Sequence, residues 1–273
     1  MDVILHLSDP HFGTELPEVT QALIELTYQE QPNLTIISGD ITQRARTKQF
    51  TAAKAFTEAL QSKTKVVIAG NHDIPLFNLP MRLFWPYYNY QKTFGENLEP
   101  VFESDTLLVV TVKTTRRYRH VNGELSVTQI DRVCRLLQQG KPSQLRIVVA
   151  HHPLFVNNMV DEDNVVKGRD RAIFQWAKAG ADLILGGHIH LPFIIPLHQK
   201  IDELTYPLWV IQAGPAVSER MRWNAGNSVN IIRYQESSDE PRHCKVEQWD
   251  YHDQQSGFLC VAKETLKLSL ATL

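Results

Sequence analysis

The chain has 273 residues, of which 43% are hydrophobic and 21% charged, a composition typical of a globular protein with a sizeable buried core. The formal net charge of −2 provides no overall attraction for polyanions, so no nucleic-acid partner is predicted. Three cysteines without paired spacing argue against a disulfide framework, and an N-terminus that runs directly into an apolar strand pattern carries no export signal, so a cytoplasmic protein is predicted.

Short apolar runs alternate with amphipathic stretches along most of the chain, which favours an α/β fold of sheets covered by helices. Helices are predicted from Pro17, over Phe50 to Leu60, from a capping box at Ser126 and Gln129, and up to a stop at Gly180. The apolar runs predict strands at 3–7, 34–37, 66–69, 107–112, 146–150, 183–185 and 208–211.

The last quarter of the chain has a different pattern. From about residue 204 the helical periodicity fades, and 230–234 and 245–251 are predicted as strands. No apolar run approaches the roughly 20 residues needed to cross a bilayer, so no transmembrane segment is expected. The whole chain, 1–273, is predicted to form a single domain, and its oligomeric state stays open, with a homodimer as one option.

Two irregular segments interrupt the alternation of strands and helices. Residues 76–102 are rich in proline and aromatic side chains, and residues 114–124 are rich in arginine. Both are predicted to be loops over a functional site, and the first is a candidate cap.

Polar strings follow five of the predicted strands, at the sheet edge where α/β folds place their sites. Six of the eleven histidines lie in these strings, together with aspartate and asparagine and without cysteine. Such a mixture of oxygen and imidazole ligands suits Mn, Fe or Zn rather than a thiolate-bound structural zinc. The strings are Asp9-Pro10-His11, Gly39-Asp40, Gly70-Asn71-His72-Asp73, His151-His152 and Gly187-His188-Ile189-His190.

The five strings resemble, in this order, the pattern of the calcineurin-like metallophosphoesterase superfamily: Asp-X-His, Gly-Asp, Gly-Asn-His-Asp, His and Gly-His-X-His. The resemblance covers residues 9 to 190. A further string, Asn227 to Asn230, is similar to the branch that contains class III cyclic-nucleotide phosphodiesterases. The resemblance implies a four-layer αββα sandwich, in which two mixed β-sheets are flanked by helices.

The resemblance also implies two divalent or mixed-valence metal ions (Mn, Fe or Zn). It further implies a role for each residue of this chain that matches the family pattern. Asp40 would bridge the two ions. His72 would contact the phosphate and protonate the leaving oxygen, Asp73 would orient His72, and Asn71 would also contact the substrate. The ligands of one ion would be Asp9, His11, Asp40 and His190, and those of the other Asp40, Asn71, His151 and His188.

The resemblance, including that of residues 227–230 to the cyclic-nucleotide branch, implies a phosphodiesterase that acts on a small molecule such as a cyclic nucleotide, by in-line attack of a metal-bridging hydroxide. One alternative is a pyrophosphatase of a nucleotide-sugar lipid, similar to UDP-diacylglucosamine hydrolases, in which the aromatic segment 76–102 would cover acyl chains. Another is a catalytically inactive regulatory or scaffold module, which the presence of every expected ligand disfavours.

Two arginines are further candidates for binding the substrate. Arg116 and Arg222 would hold a second anionic group, because the guanidinium fork matches phosphate geometry. Arg220 offers the same chemistry, and Trp223 would stack a base. For each of these residues, an exposed loop without a ligand is the alternative interpretation.

Overall fold

The computed structural model of the protein describes residues 1–222, 225–236 and 242–268. These residues form twelve strands in two six-stranded sheets, together with six α-helices. The strands are β1 Asp2–Leu7, β2 Leu34–Ile37, β3 Thr64–Val67, β4 Val101–Glu103, β5 Leu107–Val112, β6 Leu145–Ala150, β7 Leu183–Gly186, β8 Phe193–Pro196, β9 Trp209–Gln212, β10 Ser228–Tyr234, β11 His243–His252 and β12 Gly257–Lys267. The helices are α1 Pro17–Glu30, α2 Thr47–Ala59, α3 Leu79–Phe84, α4 Tyr88–Phe94, α5 Val127–Gln139 and α6 Arg169–Lys178.

Both sheets are mixed. The first has the order β12-β11-β10-β1-β2-β3, in which β1, β2 and β3 are parallel and the other pairs are antiparallel. The second has the order β4-β5-β6-β7-β9-β8, with a parallel centre and an antiparallel strand at each edge. Parallel neighbours end at the same edge of a sheet, so β1, β2 and β3 deliver their carboxyl ends together, as do β6 and β7.

Three apolar cores separate four layers. Ile36 and Val149 belong to the core between the two sheets. Leu23 of α1 and Phe50 of α2 pack on the outer face of the first sheet, and Trp176 of α6 packs with α5 on the outer face of the second. This arrangement confirms the expected αββα sandwich of two mixed sheets.

Local sequence signals account for the ends of several helices. Pro17 is the first residue of α1, and its fixed φ suits that position. The Ser126 hydroxyl accepts a hydrogen bond from the Gln129 amide, 3.2 Å away, at the start of α5. Gly180 follows α6 with a φ of 94°, a conformation that glycine adopts without strain.

The predictions missed three strands, β4, β8 and β12, that lie at sheet edges. Most of β12 is exposed, so the apolar alternation that marks a half-buried strand is weak there. In place of a continuous loop, segment 76–102 contains α3, α4 and the first residues of β4. Within the described residues, no helix is long and apolar enough to span a membrane.

Candidate metal centre

The polar strings converge where the carboxyl ends of the parallel strands of the two sheets meet. Asp9 and His11 follow β1, Asp40 follows β2, and a 3-10 turn, Asn71–Asp73, follows β3. From the second sheet, His151 follows β6, while His188 and His190 follow β7. These side chains are almost entirely withdrawn from solvent, apart from partly exposed His72 and His188.

Two groups of ligand atoms face each other across Asp40. In the first, the Nε2 atoms of His11 and His190 are 3.0 Å apart, and His190 Nε2 is 3.3 Å from Asp9 Oδ1. His11 Nε2 lies 3.7 Å from Asp40 Oδ2, so this group reaches the second oxygen of Asp40.

The second group surrounds the other oxygen of Asp40. His151 Nε2 is 3.3 Å from Asp40 Oδ1 and 3.2 Å from Asn71 Oδ1. Asn71 Oδ1 is also 3.0 Å from His188 Nδ1. The carboxylate of Asp40 therefore presents one oxygen to each group of ligand atoms.

Backbone carbonyls orient two of the imidazoles. Nδ1 of His151 lies 2.9 Å from the Ser38 carbonyl, and Nδ1 of His190 lies 2.6 Å from the Arg220 carbonyl. Donation from Nδ1 leaves the Nε2 lone pair of each ring directed into the cluster, as in metal-binding histidines.

His152, the neighbour of His151, is occupied elsewhere. Its Nε2 is 2.7 Å from the Val121 carbonyl and its Nδ1 is 2.7 Å from the Thr114 hydroxyl. Both ring nitrogens are thus used in hydrogen bonds, which agrees with the choice of His151 over His152 as the candidate ligand.

Burial and mutual proximity shift the protonation of these groups. Burial lowers the pKa of His11 and of His188 to about 3, which keeps both rings neutral with a free lone pair. Burial disfavours the charged form of His151 as well, but Asp40 beside it raises the pKa of His151 to about 9. Burial likewise opposes ionisation of Asp40, yet His151 and His72 hold its pKa well below the usual range.

The backbone of the site is strained. Asp9, His11, Asp40, His188 and His190 all have positive φ values, between 44° and 76°, in the left-handed region that non-glycine residues seldom adopt. Each such residue costs on the order of 1 kcal/mol, and such strain clusters at functional sites.

Close packing explains why a glycine occupies position 39, next to Asp40. At Gly39, a Cβ atom would lie 2.5 Å from His151 Nδ1, and the φ of 110° also requires glycine.

His72 lies at the rim of the cluster. Its Nδ1 is 2.9 Å from the Gln43 carbonyl, which holds the ring, and its Nε2 is 4.0 Å from Asp40 Oδ2. Arg220 Nη1 is 3.2 Å from His72 Nε2 and 2.9 Å from Gln43 Oε1. Two groups able to donate a proton or hydrogen bond thus meet beside the carboxylate.

Asp73 does not orient His72, contrary to the sequence-based expectation. Its carboxylate accepts hydrogen bonds from the amides of Ile41, Thr42 and Gly70 and from the Thr42 hydroxyl, at 2.8 to 3.0 Å. Burial and nearby Asp40 raise the pKa of Asp73 to about 7, against these four bonds, which favour the carboxylate. Asp73 therefore fastens the loop that carries Asp40 to the turn that carries Asn71.

Neither arginine expected to bind substrate presents an open guanidinium to the cluster. Arg116 donates to the carbonyls of Lys113 and Thr115 and to Gln129 Oε1, and it lines a separate cavity of about 490 Å³ beside Glu99. Arg222 pairs with the buried carboxylate of Asp161 and donates to the Ile189 carbonyl. Trp223 lies outside the described residues.

The arrangement fits a pair of cations. Asp9 Oδ1 is buried without a hydrogen-bond donor, although two imidazoles lie within 3.6 Å of it. Buried acceptors that converge without donors are stable only when a cation or proton lies among them. Groups of side chains with the spacing of metal ligands are Asp9, His11 and His190; His11, Asp40 and His72; Asp9, Asp40 and His151; and His151, His152 and His188.

A model of the calcineurin-like phosphoesterase family matches residues 3–192, which is more than half of the chain. The chain belongs to this family and is a metal-dependent phosphoester hydrolase. None of the curated protein sequences matches the chain.

Solved structures share the fold. A purple acid phosphatase from yellow lupin (Lupinus luteus) seeds has a TM-score of 0.73 at 13% identity, over 98% of this chain and 54% of that one. A dimetal phosphatase from Danio rerio has a TM-score of 0.67 at 11% identity, over 98% and 99%. Vacuolar Protein Sorting 29 from Cryptosporidium parvum has a TM-score of 0.52 at 12% identity, over 97% and 98%. This chain thus spans about half the length of the lupin enzyme, and at such identities the likeness concerns the fold alone.

Proposed function

We propose that the chain is a dinuclear phosphodiesterase of small molecules, with a cyclic nucleotide as the favoured substrate. One cation would be held by Asp9, His11, Asp40 and His190. The other would be held by Asp40, Asn71, His151 and His188.

One observation carries this proposal: the two oxygens of Asp40 face two separate groups of ligand atoms, at 3.7 Å and 3.3 Å. A single cation would need one such group. A shared carboxylate between two groups is the arrangement that holds two cations close enough to act on one phosphate.

When bound, the two cations supply positive charge for the phosphate and lower the pKa of bound water toward neutrality. The chain's own residues do the rest. Asn71 retains its amide nitrogen for the substrate while its oxygen faces the ligand groups. The Gln43 carbonyl holds Nδ1 of His72, and a doubly protonated His72 ring would give its Nε2 proton to the leaving oxygen.

Arg220 is an additional candidate for binding the phosphate. Its guanidinium lies 3.2 Å from His72 Nε2, and its carbonyl orients His190. A phosphate oxygen beside the guanidinium would receive hydrogen bonds from Arg220 and from a protonated His72 Nε2, and the guanidinium fork matches phosphate geometry. The proposal therefore replaces Arg116 and Arg222 by Arg220.

The preference for a cyclic nucleotide rests on the resemblance of residues 227–230 to the cyclic-nucleotide branch. Asn227 in this string donates to the carbonyls of Pro215 and Ser218 and so holds the loop that leads to Arg220.

Metal-loaded protein assayed against several esters tests the proposal. With manganese, we expect turnover of bis-nitrophenyl phosphate and cyclic AMP, little turnover of a lipid-linked pyrophosphate, and loss of all activity after chelation. Metal analysis should give about two ions per chain. A preference for the lipid-linked pyrophosphate would favour the alternative substrate class, and a protein that binds no metal would contradict the dinuclear assignment.

A further inference from the structure

An exposed apolar surface lies next to the candidate metal centre. It comprises residues 77–88, which include α3, together with Tyr118 and Val121, and it is called the aromatic surface below. None of the six residues of α3 is buried. Six large side chains in 77–88 are between 52% and 79% exposed: Phe77, Leu79, Leu83, Phe84, Trp85 and Tyr88.

The aromatic surface is anchored to the rest of the molecule. Tyr87 is buried and contacts the Thr115 hydroxyl at 2.5 Å, and Tyr90 donates to the Val67 carbonyl at 2.8 Å. Arg117 donates to the Leu83 carbonyl at 2.8 Å, which ties α3 to the loop that exposes Tyr118. The exposed rings therefore project from a held framework.

The two segments that form the aromatic surface carry only positively charged side chains. Residues 75–92 and 116–123 contain no aspartate or glutamate, whereas the chain as a whole has a net charge of −2. Glu124, just beyond, pairs with Arg119 at 2.8 Å. The cations of the two segments are Arg82, Lys92, Arg116, Arg117 and Arg119.

We propose that the aromatic surface docks onto an anionic lipid surface. Tryptophan, tyrosine, phenylalanine and leucine beside arginine form the combination that favours the headgroup region of a bilayer. Arginines close to such a surface are attracted by anionic headgroups, and Glu124 offsets only part of the positive charge of the five cations. Six large apolar side chains exposed within twelve residues are unusual on a monomer that meets only water.

Docking in this orientation brings the site close to the lipid. A small pocket lined by Asn71, His72, Leu76, Arg82 and His120 adjoins both the metal centre and the aromatic surface.

Vesicle binding tests the inference independently of turnover, so a failed substrate assignment leaves it intact. The full chain is sedimented with vesicles of phosphatidylcholine alone or with about one third phosphatidylglycerol. We expect binding to the anionic vesicles, weakened by salt. The double variant Phe84→Ser/Trp85→Ser should lower the partition coefficient at least about 10-fold, because two apolar side chains no longer insert.

Two further variants separate charge from apolar contact. Arg117→Gln should lower the partition coefficient about 5-fold. The double variant Tyr28→Ser/Leu259→Ser removes exposed apolar side chains from α1 and β12 and should bind as the wild type does. All variants should hydrolyse a water-soluble ester at the wild-type rate, which checks that they are folded.

Three outcomes would overturn the inference. The first is a wild type that stays in the supernatant. The second is an unchanged partition coefficient for Phe84→Ser/Trp85→Ser. The third is a wild-type dimer, seen by light scattering, that this variant dissociates, because the aromatic surface would then join two copies of the chain.

Discussion

Buried carboxylates lie at opposite ends of the sheets, in contrasting surroundings. Asp182 precedes β7, and its oxygens accept hydrogen bonds from the Arg146 amide at 2.9 Å and from Arg242 Nη1 and Nη2 at 3.0 and 2.8 Å. Asp9 and Asp40 lie beyond the opposite ends of the strands. Their carboxylate oxygens face imidazole nitrogens of His11, His151 and His190. The Asp182 carboxylate meets donors from Arg146 and Arg242, whereas Asp9 Oδ1 is buried without a hydrogen-bond donor.

The contrast separates groups that stabilise the fold from groups arranged for chemistry. The end with Asp182 follows the ordinary rule that buried charges are paired. The candidate metal centre departs from it and adds strained backbone at residues such as Asp40 and His190. Local departures of this kind are expected at functional sites and are offset by stability elsewhere in the fold.

The largest predicted effect concerns the carboxylate shared by the two ligand groups. Asp40→Ala should lower turnover about 10³-fold or more, because both cations lose a ligand. Weaker cation binding removes the positive charge that stabilises the transition state. The metal-free variant should be less stable than the metal-free wild type, because the substitution removes the carboxylate that lies 3.3 Å from buried His151 and raises its pKa. Turnover, metal content and urea denaturation measure these effects. If Asp40→Ala retained its activity, the distinction between a structural end and a chemical end of the sheets would be wrong.

At the opposite end, substitution should affect stability alone. Asp182→Ala removes the carboxylate between Arg146 and Arg242 and should lower the free energy of unfolding by about 3 kcal/mol. Turnover per folded molecule should be unchanged. Asp105→Ala, at an exposed pair with Lys141, is the control and should leave the melting temperature unaltered. Lost turnover in folded Asp182→Ala would show that the two ends are coupled.

A His72 variant tests whether His72 acts as a proton donor while its neighbours in the metal centre act as cation ligands. His72→Asn should lower turnover about 10²-fold for an ester with an alkoxide leaving group, and much less for nitrophenolate, which needs no proton. Metal content should stay the same. His120→Asn, at an exposed histidine of the same pocket, serves as the control. Equal losses for both leaving groups would exclude proton donation by His72.

The smallest effect concerns His6 of β1, which lies near the cluster but hydrogen-bonds to Ser38 and Asn230. Burial lowers the pKa of His6 to about 3 from an ordinary value of 6.5. Between these values the unfolded chain binds a proton that the folded chain does not, so stability falls as the pH drops below 6.5.

A His6→Gln variant isolates this contribution. The stability advantage of metal-free wild type over His6→Gln should shrink by about 2 kcal/mol between pH 7.5 and pH 5, as measured by urea denaturation. An advantage that is the same at both pH values would mean that His6 is protonated in the folded state.

Much of the framework was predictable because its signals are local. Apolar runs marked the buried strands, and Pro17 and Ser126 marked helix starts, since propensity and capping act within a few residues. The edge strands were not predicted, because an exposed strand such as β12 is defined by its hydrogen-bonding neighbour rather than by burial. The partners of Arg116 and Arg222 escaped for a related reason, since Gln129 and Asp161 are brought to them by the fold.

The sequence by itself determined the alternation of strands and helices, the types of the candidate ligands and their positions after the strands, because strand periodicity and strand ends are encoded in short stretches. Only the tertiary structure decided that Asp40 turns one oxygen to each group, that Asp73 braces loops and that Arg220 reaches His72. These contacts join residues tens to hundreds of positions apart. Their geometry arises when two sheets pack face to face, and no local pattern records it.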